Sequence, residues 1–255
     1  MGKTNKNPLC LWLCLLIGTI CSAQAHSTSR QNIQELRTLG YSVLVNVLIY
    51  HNPNGTPYDL DTAQAYQTDL QLLQLKTKQL SLSQAAAQTE RLNAVIADLR
   101  HLPQSRAEVR ETIPPYSRWL PQVIEQQTLL NTLLSNLYDQ QPVVSEQQRA
   151  LHELSRDMER LLLSYQISAF PSLVTHGWVL DTQTLGTLDS SIQRRFADLS
   201  DDSELGAQLK KASLRYQSIR RHLLDPATNW SPSALARHLL MAARQLDSAA
   251  GNIAR

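Results

Sequence analysis

The chain has 255 residues, 42% hydrophobic and 18% charged, with a formal net charge of +2 and three cysteines. That arithmetic excludes a disulfide-stapled miniprotein and a wholly disordered chain, and the charge is too small to mark a nucleic-acid-binding surface. No nucleic-acid partner is therefore expected.

The chain opens with Lys3 and Lys6, continues with an apolar run from Leu9 to Cys21, and then reads Ser22-Ala23-Gln24-Ala25. A positive start, a short apolar stretch and a small-residue cleavage site are the three parts of a secretory signal peptide, here residues 1–25. The run is shorter than the about 20 residues a membrane span needs. No later stretch is long and uncharged enough to be one, so no transmembrane helix is expected in the mature chain. Cleavage after Ala25 places the protein in the periplasm or outside the cell. It also removes Cys10, Cys14 and Cys21 together with Lys3 and Lys6, leaving 22 basic against 22 acidic residues. A mature chain without thiols has neither disulfides nor thiolate chemistry.

The remaining sequence has 39 leucines against 10 valines and 9 isoleucines, a mixture that favours helix over strand. Helices are expected over about 29–51, 60–80, 82–102, 116–139, 145–176, 182–199, 202–224 and 232–254. The first includes Val43-Leu44-Val45-Asn46-Val47-Leu48-Ile49-Tyr50, rich enough in β-branched residues to suit a strand, but nothing else supplies strand partners. Ala63, Tyr66, Leu70, Leu73, Thr77 and Leu80 fall on one coiled-coil-like helical stripe. So do Leu151, Leu154, Met158, Leu161 and Tyr165, and again Leu205, Leu209, Ala212, Tyr216, Ile219 and Leu223. Ser81-Leu82-Ser83-Gln84 and Ser145-Glu146-Gln147-Gln148 fit capping boxes, and Ser231-Pro232 fits a cap before a first-turn proline. Pro171 should kink or end the fifth helix.

Leu60-Asp61-Thr62 recurs as Leu180-Asp181-Thr182, and Arg100-His101-Leu102 as Arg221-His222-Leu223, at separations of 120 and 121 residues. Each half reads as a long helix, a loop, two helices, a proline break and a final helix. The expected fold is all-α: two tandem four-helix-bundle-like halves related by internal duplication. The N-terminal bundle spans 26–139, the hinge around Pro142 spans 140–144, and the C-terminal bundle spans 145–255.

The segment Leu154-Ser155-Arg156-Asp157-Met158-Glu159-Arg160-Leu161-Leu162-Leu163-Ser164-Tyr165-Gln166, followed by Leu188 to Leu199 with Phe196, resembles the PilJ/NarX-type periplasmic sensor domain. Ile33 to Asn46, with Arg37, resembles a second copy. In that family an arginine of the first helix helps bind a small anion at a bundle interface. The resemblance therefore implies anion binding at Arg37, Arg156 and Arg160. Independently, Asn46 within its apolar run and Arg37 on the same helix are candidate buried polar groups that could line a ligand site.

Catalytic and cofactor motifs are missing. There is no Cys-x-x-Cys-His, no His-Glu-x-x-His, no paired Glu-x-x-His, no phosphate-cradling glycine loop and no Gly-x-Ser-x-Gly. His26, the expected mature N-terminus, could chelate copper through its amine and imidazole, but no second placed histidine suits it, and no metal or other cofactor is expected. Arg194-Arg195, Lys210-Lys211 and Arg220-Arg221-His222 concentrate positive charge, which nearby acids offset. The expectation is an exported, non-catalytic helical-bundle protein that binds a small molecule or anion in a sensor-like way. The alternative is a structural or adaptor protein contacting a protein partner in the cell envelope.

Overall fold

A computed structural model describes residues 8–52, 56, 58–99, 119–143, 145–170, 173, 177–200, 205–225 and 231–253, with side chains from Arg30 onward. The described residues form helices α1 (Pro8–His51), α2 (Leu60–Gln79), α3 (Ser83–Leu99), α4 (Leu120–Asp139), α5 (Glu146–Ile167), α6 (Thr182–Leu199), α7 (Gly206–Leu224) and α8 (Pro232–Ile253), and no strand. The all-α expectation holds, and α4 and α5 are separate helices on either side of Pro142. The backbone of α1 is helical from Pro8 through Ala25, so the helix starts well before the expected residue 29, and the side chains of the expected signal peptide and of His26 lie outside the described residues. Arg100-His101-Leu102 also lie outside them.

The stretch Val43 to Tyr50 is helical, and every apolar side chain in it is buried. Its β-branched residues are tolerated because α1 is surrounded, packing on α2, α4, α5 and α8. A helix apolar on all sides is stable when it has partners on all sides. Helices α1 to α4 close a ring in which α1 meets α2, α2 meets α3, α3 meets α4 and α4 returns to α1. Helices α5 to α8 close in the same order. The two bundles meet where α1 packs against α5 and α8. They also exchange core residues. Val45 and Ile49 of α1 enter the second core, while Ile167, Phe170 and Leu173 enter the first.

Local chemistry corrects two expected boundaries and bears out a third. Helix α5 ends at Ile167 rather than near residue 176. Pro171 disfavours helix at the residue before it, and Ser168 closes the end by donating its hydroxyl to the Tyr165 carbonyl at 2.7 Å. Ser81 is not the cap of α3 but the residue that ends α2. It has φ of 54°, its N–H donates to the Lys78 carbonyl, and Leu82 N–H reaches back to the Thr77 carbonyl at 3.1 Å. That double bond is a Schellman ending, whose left-handed position suits glycine. Ser81→Gly is expected to stabilise the protein by about 0.5–1 kcal/mol, seen as a higher midpoint in urea unfolding. Ser145 does cap α5 by accepting from Gln148 N–H at 3.3 Å. The reciprocal half of its box is missing, because the Gln148 amide donates instead to the Ala250 carbonyl of α8 at 3.2 Å.

Candidate functional site

The upper part of α1 is as buried as the lower part, yet it is polar: Arg30, Gln31, Gln34, Arg37, Thr38 and Ser42 are all buried. Helix α5 presents a second polar stripe, Gln148, His152, Ser155 and Glu159, one residue behind its apolar stripe and likewise buried. Helix α8 faces both with small residues, Ala236, Ala243 and Ala250, and one carboxylate, Asp247. Close packing is built in. A Cβ on Gly251 would stand 3.3 Å from Cδ of Gln31.

Most of this polar junction is paired, as burial requires. Thr38 donates to Oδ2 of Asp247 at 2.6 Å, and Gln34 donates to Oδ1 at 3.2 Å. The Gln31 amide nitrogen donates to the Asp247 carbonyl at 2.8 Å and to Glu35 at 3.2 Å. That fixes the amide's orientation and leaves its oxygen facing Nε2 of His152 at 2.9 Å. His152 must therefore carry its proton on Nε2 and accept the Tyr138 hydroxyl on Nδ1, at 2.8 Å. Burial first, and then the Arg37 and Arg30 charges, push the His152 imidazole down to about 3. The ring is a neutral relay between α4, α5 and α1.

The arginines are not satisfied. The guanidinium of Arg30 lies 4.3 Å from the centre of the Tyr138 ring and that of Arg37 lies 5.1 Å from it. Arg37 donates through Nη1 to Gln34 at 3.1 Å. Nε and Nη2 of Arg37, Nε and Nη1 of Arg30, and Nε of the half-buried Arg156 have no hydrogen-bond partner among the described residues. Arg30 and Arg37 are only 4% and 3% exposed, so water does not replace the missing acceptors freely. Burial and the Arg156 charge lower the proton affinity of Arg37, and Glu159 works against them. Both oxygens of the buried Glu159 also lack hydrogen-bond partners among the described residues. Burial first, and the charge of Asp247 second, raise its pKa well above the ordinary carboxylate range. A proton on Glu159 leaves the arginines with less negative charge than their number suggests.

The four residues singled out by sequence divide into two places. Arg37, Arg156 and Arg160 converge around buried Tyr41, whose hydroxyl lies in the field of all three and of Glu159. Arg160 itself is exposed and lies 3.7 Å from Asp157. A cavity of about 170 Å³, lined by Tyr41, Thr128, Arg160, Ser164 and Trp178 among others, opens beside this cluster. Asn46 is elsewhere, half-buried and donating to the Ser42 hydroxyl at 3.4 Å on the side facing α2 and α8.

Comparison with known proteins returns no match to any family, curated protein or solved structure. The geometry of the junction is therefore what any functional reading has to rest on.

Two members of the basic runs of α6 and α7 are committed to acids. Arg195 pairs with Glu153 at 2.5 Å, and Arg220 forks onto Asp189. Among the described residues, no group of three or more His, Cys, Asp or Glu side chains is arranged to hold a metal ion. Sequence reasoning missed Arg30, Gln31, His152, Glu159 and Asp247. The signal was present as spacing: Gln148, His152, Ser155 and Glu159 repeat at steps of four, three and four, a buried-face period written in polar residues.

Proposed function

We propose that this chain is an exported, non-catalytic helical-bundle protein that binds a small anion between α1 and α5, in the manner of a periplasmic sensor domain. The observation that carries the reading is the set of buried guanidinium N–H groups without acceptors on Arg30, Arg37 and Arg156. An unpaired buried cation is costly, and an anion that accepts those hydrogens offsets the cost. Arg37 and Arg156 are 119 residues apart in sequence and lie together across the bundle interface, where the sensor-like resemblance leads one to look. The cavity beside Tyr41 and Arg160 offers a vestibule of the right scale for a small anion. The signal-peptide-like start is the ground for placing the protein in the periplasm or outside the cell.

Nitrate, acetate and sulfate, compared in thermal unfolding at constant ionic strength, test this. At least one is expected to raise the melting temperature with saturation at millimolar concentration. A ligand at a hundred times its Kd adds about 2.7 kcal/mol. Arg37→Gln and Arg156→Gln should each abolish the rise. If no anion gives a saturable shift, or both variants keep it, anion binding at this junction is wrong.

A further inference from the structure

A cleft of about 630 Å³ opens on the α2 and α8 side of α1 and has a different electrostatic character from the arginine junction. We propose that it is a second binding site, one for a zwitterionic short peptide with a free ammonium and a free carboxylate.

Helix α1 forms its floor, with Ser42, Asn46 and Ile49. Helices α2 and α8 form its walls. The hydrogen bonds fix the directions. Ser42 meets Asp69 while Glu35 meets Lys76, so α2 runs antiparallel to α1. Thr38 meets Asp247 while Ser42 meets Arg244, so α8 also runs antiparallel to α1. The two walls are therefore parallel to each other.

At one level the walls are bridged directly. Asp69 of α2 accepts from Arg244 of α8 at 2.8 and 3.1 Å, and Ser42 of the floor bonds to both. Two turns nearer the N-terminus of each wall the arrangement repeats without the bridge. Asp61 stands eight residues before Asp69, and Arg237 stands seven before Arg244. At 1.5 Å per residue both lie about 10–12 Å from the bridged level, on the same side of it. Both line the cleft and are exposed, and neither has a salt bridge among the described residues. Asp59 adds a second carboxylate beside Asp61, with its Oδ2 engaged by Thr62 as the cap of α2.

The cleft is mixed: Ile49, Ala65, Ala236, Leu240 and Met241 line it beside Asn46 and several Ser and Thr side chains, and Met241, 46% exposed, offers an adaptable surface for an aliphatic group. Three carboxylates against two guanidiniums disfavour a simple anion and suit a ligand that brings an ammonium to Asp61 and Asp59, a carboxylate to Arg237 and an alkyl body to the floor. The volume falls in the range of small-molecule sites and leaves room for two residues or more.

The test is calorimetric titration of the full chain with leucyl-leucine, its N-acetyl derivative and its C-terminal amide. The free dipeptide should bind saturably, and capping either end should weaken it about tenfold or more, because each cap removes a charged hydrogen bond. In Asp61→Asn the N-acetyl form should no longer be worse than the parent, and in Arg237→Gln the amide should no longer be worse. Both positions are exposed, and unchanged melting curves would confirm intact folding. Arg37→Gln should leave dipeptide binding untouched, which keeps this site separate from the anion junction. No saturable binding of the dipeptide, or capped forms that bind as well as the parent, would overturn the proposal.

Discussion

Replacing Asp189 by alanine is expected to destabilise the protein by about 3 kcal/mol, a drop of about 10 °C in melting temperature for a chain of this size. Asp189 sits on α6 at 3% exposure and holds that helix to α7. It accepts from the Tyr216 hydroxyl at 2.6 Å, from Arg220 Nε and Nη2 at 2.7 and 2.6 Å, and from Gln193 at 2.9 Å. Burial alone would raise its pKa, but the hydrogen bonds from Arg220 and Tyr216 outweigh it and hold the carboxyl below its ordinary value. Alanine would leave the Tyr216 hydroxyl buried without its acceptor and Arg220 without its counter-charge. Arg220 is 37% exposed in its side chain, so it can turn to water, which is why the expected cost is at the lower end for a broken buried pair. The comparison variant is Asp69→Ala. Asp69 occupies the matching helix of the first bundle, but its partner Arg244 is 52% exposed, and a cost of about 1–2 kcal/mol is expected. Urea unfolding of both variants decides the matter. If Asp189→Ala costs no more than Asp69→Ala, the Asp189 network is not what fastens α6.

The contrast between the two bundles shows what was and was not legible in the sequence. Leucine stripes at helical spacing located the eight helices, because each stripe buries one face and burial is what the spacing encodes. The large misses are the start of α1, at Pro8 rather than 29, and the end of α5. The capping pattern at Ser81 misled because Ser-x-x-Gln describes one helix start, whereas the backbone there is governed by how α2 stops. The functional residues were legible only in part. Arg37 and Arg156 were reached through a resemblance. Glu159, His152 and Asp247 were passed over because polar residues on a helix are ordinarily read as the solvent face. They are buried here since both bundles pack on α1, which between Arg30 and His51 leaves only Asn32, Glu35 and Asn46 partly exposed. Which face of α5 meets α1 is a property of the assembled bundles and is not written in α5 alone. The shared tripeptide Leu-Asp-Thr is another such case. In α2 the capping carboxylate is Asp59, before the tripeptide, while in α6 it is Asp181, within it, so the sequence repeat and the structural cap are out of register.

Glu159→Gln is expected to make the protein more stable than the wild type at pH 8 by about 2 kcal/mol, while leaving it nearly unchanged at pH 5. Glu159 lies in the field of Arg37 of α1 and of Asp247 and Arg244 of α8, and itself acts on Tyr41 of α1. Burial, and then the neighbouring carboxylate, raise its pKa to about 8, and burial raises Asp247 as well. A carboxyl raised in the folded state keeps its proton after the unfolded chain has released it near pH 4. Its contribution is therefore full below pH 4 and is lost as pH rises toward 8. His51 and His152 act with the opposite sign. Burial lowers them to about 4 and about 3, so their contribution is full above about pH 6.5 and is lost as pH falls through the lowered values. Between pH 4 and 6 the two slopes oppose each other and stability is nearly flat. Above pH 6.5 the histidines no longer respond and Glu159 alone remains, lowering stability by up to about 1.4 kcal/mol per pH unit. Glutamine keeps the shape and the neutral charge, and so removes that alkaline decline. Urea unfolding at pH 5, 6.5 and 8 measures it, and a variant equally destabilised at all three values would mean that Glu159 is an ionised partner of Arg37 instead. The same proton bears on the anion junction. An ionised Glu159 competes with an anion for Arg37, so anion affinity should weaken as pH rises through about 8 in the wild type and lose that dependence in Glu159→Gln.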